Sequence, residues 1–207
     1  MAAPEPPAAG ALALPERARA LLDMWFGAVG DPLREERREI WFKSTPEHDD
    51  RLRERFLADY ERAAAGALAD WEAAPESALA LVLLLDQIPR NIFRATPRSY
   101  DMDPMARAVA DRAMANGFDM LVPPMWRMFF YMPLHHSENL ADQQRATALV
   151  ASLPDRGDPE HGENRRYGLP YVDVIERFGR FPHRNAILGR PSTPDELAFL
   201  ARSGPKP

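Results

Sequence analysis

Cysteine is absent from all 207 residues. Disulfides, thiol nucleophiles and thiolate metal sites are therefore excluded. Lysine is almost absent too: Lys43 and Lys206 stand alone among 26 basic residues, and the rest are arginine. A GC-rich genome produces that bias, yet guanidinium is also the better fork for a carboxylate or phosphate. There is no basic surplus, because 31 acidic residues leave a formal net charge of −5. Nucleic-acid binders carry positive surface for phosphate contacts, so no nucleic-acid role is expected. The longest apolar run, Ala78 to Leu85, falls far short of the roughly 20 residues of a membrane span. No Gly-rich phosphate loop, dinucleotide fingerprint, nucleophile-elbow serine or HExxH pair occurs. Any catalysis must be assembled from His, Asp and Arg residues distant in sequence.

Proline is the excess, at 21 residues where ordinary usage is about 5%. Repeated proline forbids long uninterrupted helices and regular central strands, so the fold is expected to consist of short pieces. Met1 to Gly10 has no basic n-region and carries Glu5 and three prolines. It reads as part of a disordered leader over residues 1–14, not as a signal peptide, and the expected setting is the cytoplasm. Residues 15–203 are expected to form a single all-helical domain.

Many prolines sit where a helix begins. Pro15 opens Glu16 to Phe26, with Leu21, Leu22, Trp25 and Phe26 at helical spacing and Gly27 closing it. Thr45-Pro46 reads as a cap with proline at the first helical position, before a stripe of Leu52, Phe56, Leu57 and Tyr60. Pro75 opens the Ala/Leu-rich run through Leu85, and only Val82 there is β-branched, which favours helix over strand. Asp103-Pro104 caps a helix ending at Asn116-Gly117. Pro124 opens Met125 to Met132, which Pro133 is expected to break. Glu138 to Leu153 and Glu160 to Phe178 follow, the latter kinked near Gly168 and Pro170. Thr193-Pro194-Asp195-Glu196 is a capping box before a last short helix. With no alternating strand pattern and no hairpin signal, the fold class is all-α. Such chains pack as irregular bundles or as stacked helical hairpins.

Three polar clusters interrupt apolar context. In Leu85 to Arg94, Pro89 disfavours helical geometry at Ile88, which places Asp86 and Gln87 in a helix's last turn. A carboxylate there opposes the helix dipole and needs a cation, with Arg90 or Arg94 nearest. Either Asp86 and Arg90 staple the turn, or one arginine faces a ligand anion. In Tyr131 to Asn139, His135 and Glu138 are three apart and would share a helical face, a metal-site spacing that still needs more ligands. Ser137 or a histidine capping the next helix is the plainer reading, and Trp126, Phe129 and Phe130 read as core. In Phe178 to Asn185, Gly179 ends a helix before a loop carrying Arg180, His183, Arg184 and Asn185. That loop is either solvated, its arginines paired with Glu176 or Asp173, or functional.

At these three stretches, LDQIPRNIFR, YMPLHHSE and FGRFPHRN, the sequence resembles a bacterial domain-of-unknown-function family, number nine-two-four. Trp25-Phe26 and Trp41-Phe42 also resemble the family's early aromatic pairs. The resemblance spans roughly Ala18 to the last helix. It implies short antiparallel helical hairpins in an irregular, tetratricopeptide-like array, and it implies no substrate, cofactor or partner.

The expected function therefore rests on the residues. The clusters would converge on one pocket binding an anionic small molecule or peptide carboxylate, with Arg90, Arg94, Arg180 and Arg184 as anion donors. Asp86 and Gln87 would orient them, His136 and His183 would add switchable donors, and Asn91, Glu138 and Asn185 complete the candidate set. An alternative is a hydrolase using His136 or His183 as acid/base and Asp86 as orienting carboxylate, its metal-assisted form recruiting His135 and Glu138. Another is a helical scaffold gripping a partner protein. No cofactor and no bound metal is assigned.

Overall fold

The computed structural model describes residues 13–153 and 169–203. They are all-α, with helices α1 (Glu16–Phe26), α2 (Pro46–Ala64), α3 (Pro75–Ile92), α4 (Asp103–Ala115), α5 (Pro124–His135), α6 (Leu140–Ala151), α7 (Leu169–Phe178) and α8 (Pro194–Ser203), and the described connections are turns and short 3-10 segments. Among the described residues no strand occurs, and no helix is long and apolar enough to cross a membrane. Residues 1–12, most of the expected leader, and 154–168, the first part of the expected Glu160–Phe178 helix, lie outside the described residues.

α3 is the centre. Every residue from Ser77 to Asp86 is buried, as a helix apolar on all sides requires, and it packs against α1, α2, α4 and α5. α1 contributes Leu21, Leu22, Trp25 and Phe26, α2 contributes Leu52 and Phe56, and α5 contributes Trp126, Phe129 and Phe130. Phe26 stacks on Trp126 at 4.2 Å. The indole of Trp41 donates to the Trp25 carbonyl at 2.9 Å, and that of Trp126 to the Arg34 carbonyl at 3.0 Å. These bonds pin the segment between α1 and α2 to the core. Gly27, at φ 105, turns the chain out of α1 where a Cβ would lie 2.4 Å from an Asp31 carboxylate oxygen, a place and conformation that suit glycine alone. A smaller apolar cluster of Val174, Ile175 and Phe181, with Tyr171, Phe178 and Phe199 against it, forms around α7 and α8.

The sequence expectations need four corrections. α3 runs through Pro89 to Ile92, so Asp86 and Gln87 lie inside a helix rather than in its last turn. α5 likewise runs through Pro133 to His135. Asp103 is the first residue of α4 and caps nothing, Met102 holding the cap position. α6 begins at Leu140, capped by Asn139, whose side chain accepts from the amides of Ala141 and Asp142. Glu138 thus stands in the connection, and His135 and Glu138 do not share a helical face.

Candidate functional site

Asp86 is the anchor. It is fully buried and accepts from Gln87 Nε2 at 2.7 Å, contacts His136 Nδ1 at 2.7 Å and pairs with Arg90 at 3.2 Å. Burial alone would raise its pKa, but the Arg90 guanidinium and the His136 ring outweigh that and hold it down, at about 2. Arg90 also donates from Nη2 to both oxygens of Asp103, at 2.8 and 3.0 Å. For Asp103 burial wins: its pKa is raised despite Arg90, with Asp86 adding to the rise.

Arg184 comes from the 3-10 turn Pro182–Arg184 after α7. Its Nη1 donates to the His136 carbonyl at 2.9 Å and lies 3.6 Å from Asp103. The guanidinium is held between the rings of Tyr100 (4.8 Å) and Phe181 (4.5 Å). Among the described residues its buried Nε has no hydrogen-bond acceptor. Burial lowers the Arg184 pKa, and Arg90 pushes the same way. Burial, then Arg90, likewise lowers the His136 pKa although Asp86 pulls it up.

These groups border a pocket of about 740 Å³ between the main core and the smaller cluster. Arg90, Arg94, Arg184, His135, His136 and His183 line it, and among the described residues no aspartate or glutamate does. The carboxylates stand behind the wall. Tyr100, Tyr171, Phe181, Met132 and Ile187 supply its apolar and aromatic faces. Ala95, also in the wall, sits at φ 59, a left-handed conformation costing about 1–2 kcal/mol for an L-residue.

Of the residues expected from sequence, Arg90, Arg94, His136, His183 and Arg184 come together in this wall, with Asp86 directly behind. Gln87 holds Asp86. Asn91 and Arg94 both bind Asp49, Arg94 through Nε and Nη2 at 3.1 and 2.9 Å, leaving its side chain half exposed at the rim. Arg180, Glu138 and Asn185 do not line the pocket. Arg180 grips Glu196 through two bonds at 2.7 and 2.9 Å, and so pairs with neither Glu176 nor Asp173. Glu138 takes both terminal nitrogens of Arg190, at 2.7 and 2.9 Å, and the Phe181 amide. Asn185, fully buried, bridges Arg190 and Glu196. These three build the loop that carries Arg184. A metal role for His135 and Glu138 finds no support in the geometry: Glu138 is engaged by Arg190, and among the described residues no group of three His, Cys, Asp or Glu is placed to hold an ion.

Sequence reasoning missed Asp103, Tyr100, Tyr171, Arg190 and Gln143. Asp103 was hidden by its Asp-Pro cap signature. Gln143, fully buried, donates to the His135 and Ser137 carbonyls, both at 2.6 Å, satisfying acceptors left over at the end of α5; a glutamine spaced for helix surface gives no warning of that.

Comparison with known proteins agrees with the helical reading. Among curated proteins none matches the chain. A solved structure described as a protein of unknown function from Agrobacterium tumefaciens is similar, with 38% sequence identity and a TM-score of 0.78. The match covers 89% of this chain and 97% of that one. Residues 21–204 match the family described as bacterial protein of unknown function, DUF924, and the chain belongs to that family.

Proposed function

We propose that the protein binds an anionic small molecule or peptide carboxylate in the arginine- and histidine-lined pocket. The supporting observation is the segregation of charge: the wall holds three arginines and three histidines, and no described acid faces the cavity. A volume of about 740 Å³ lies within the roughly 300–1,000 Å³ of small-molecule sites. The test is a thermal-shift screen of anionic metabolites beside neutral analogues of the same shape. Anions are expected to raise the melting temperature, and Arg94→Ala and Arg184→Ala to diminish the response. Equal response to charged and neutral members would reject the reading.

One contact favours a second reading, acid–base hydrolysis. His136 Nδ1 lies 2.7 Å from the buried Asp86 carboxylate, an arrangement that fixes the ring and leaves Nε2 for proton transfer. Purified protein would then cleave a carboxylic or phosphoric ester from a substrate panel, and His136→Asn would abolish turnover while leaving anion binding weakened but measurable. A panel with no turnover would dismiss it.

A further inference from the structure

The ligand class can be narrowed, on the footing of the anion-binding reading, by counting charge around the pocket. Each lining arginine already has a carboxylate at its back: Arg94 has Asp49 at 2.9 Å, Arg90 has Asp86 at 3.2 Å and Asp103 at 2.8 Å, and Arg184 has Asp103 at 3.6 Å. Three cations face three carboxylates, so no surplus positive charge awaits a ligand. A dianion would bring two uncompensated negative charges into a largely buried wall, which is costly. A monoanion brings one, and a single proton cancels it.

His136 is placed to take that proton. Its ring lines the pocket, its side chain is 21% exposed, and Nδ1 is committed to Asp86. Among the described residues Nε2 has no hydrogen-bond partner. Asp86 and Arg90 face it from α3, Asp103 from the start of α4, His135 from the last position of α5, and Arg184 from the turn after α7. Two carboxylates favour the imidazolium, and two guanidiniums oppose it. A third carboxylate, brought by the ligand, tips that balance. Between the polar groups, which also include Ser99, His135 and His183, the faces made by Met132, Phe181, Ile187 and the ring of Tyr171 suit an apolar body.

We propose that the pocket takes a monocarboxylate with an apolar body, and that its binding draws one proton from solvent onto His136. Isothermal titration of the full chain with phenylacetate, in PIPES and in Tris, tests this. The two buffers are expected to give different apparent enthalpies corresponding to about one proton taken up. Affinity should fall by up to tenfold for each pH unit above neutrality, and phenylacetamide should not bind. His136→Gln should bind phenylacetate more weakly and without proton uptake; should that variant fail to fold, the wild-type buffer comparison still decides. N-Acetyl-glycyl-phenylalanine, run beside its amide, tells a peptide C-terminus from a small acid as the source of the carboxylate, and binding of either acid but not the amide supports the proposal. Phenyl phosphate binding tighter than phenylacetate, or buffer-independent enthalpies, would overturn the proposal and leave anion binding standing. Failure of every anion to bind would remove both.

Discussion

Replacing Asp86 by asparagine keeps the shape and removes the charge on which the site is organised. The carboxylate is fully buried and meets Arg90, His136 and Gln87. Removing one partner of a buried pair costs about 3–5 kcal/mol, because the other charge stays buried. Arg90 retains Asp103, which places Asp86→Asn near the lower end, about 3 kcal/mol. For a chain of this length about 2–4 °C accompanies each kcal/mol, so a fall of roughly 6–12 °C is expected at pH 7. The control is Asp111→Asn. Its pair with Arg145 is shorter, 2.5 Å, but the side chains are 43% and 49% exposed, and such pairs contribute below about 1 kcal/mol. Acid sharpens the comparison. A carboxyl near 2 in the folded chain and about 3.9 unfolded contributes a few kcal/mol above pH 4, lost as pH falls through the folded value. The gap between wild type and Asp86→Asn should therefore narrow as pH is lowered from about 5 toward 3 in urea melts. If Asp86→Asn were as mild as Asp111→Asn, or the gap stayed constant in acid, the ionised anchor would be the wrong description.

The other predictions concern neighbouring groups. Burial holds the His135 imidazole at about 4 against about 6.5 unfolded, so its contribution, up to about 3 kcal/mol, is complete above pH 6.5 and disappears as pH falls toward 4. His136 pushes the same way; urea midpoints across that range should slope less in His135→Gln than in wild type. Asp103→Asn removes the charge that neutralises Arg90 and Arg184, and titration with phenylacetate should show roughly three- to tenfold tighter binding, about 0.7–1.4 kcal/mol. Unchanged or weaker binding would deny that Asp103 competes with the ligand. Thr193→Ala should cost about 1 kcal/mol in thermal melts, since Thr193 and Glu196 exchange both bonds of a capping box, at 3.2 and 2.7 Å.

Helix starts were legible because proline at a first turn costs nothing: the N–H it lacks has no intrahelical acceptor there. Pro15, Pro46, Pro75, Pro124 and Pro194 all mark starts, within a residue. By the same local rule Pro89 and Pro133 should end their helices, but tertiary burial overrides it. A mid-helix proline costs about 3 kcal/mol. Burying Ile88 and Ile92 returns about 1.5–3 kcal/mol each, so continuing the helix is favoured once a core exists to receive them. The Arg90 side chain also donates to the Asp86 carbonyl at 2.5 Å, beside the place where Pro89 interrupts the ladder. None of this is visible from a ten-residue window. The site shows the same division. Polar side chains inside apolar stretches betrayed Asp86, Arg90, His136 and Arg184, whereas Tyr171 and Arg190 lie in ordinary surroundings and acquire their roles only from what the chain brings beside them.

That override decides the chemistry available. Had α3 stopped before Pro89, Arg90 and Arg94 would sit on a loop, free to swing toward any acid. Because α3 continues, Asp86 and Arg90 stand four apart on one helix, a spacing that sets them side by side, and Arg94 follows in the turn just past the helix, tied to Asp49. α5 performs the same service for His136: carried past Pro133, it delivers the ring to Asp86 rather than to solvent. The loop bearing Arg184 is fixed instead by side chains, through Glu138, Arg190, Asn185 and Glu196. Two rigid helix ends and one braced loop thus hold the cations at fixed separations before any ligand arrives. The entropy of gathering them is met during folding and not during binding. The same rigidity limits the site's response to an incoming charge, because none of these arginines can leave its carboxylate without breaking the brace. A proton can arrive without moving any of them, and the outer ring nitrogen of His136 is placed to receive it.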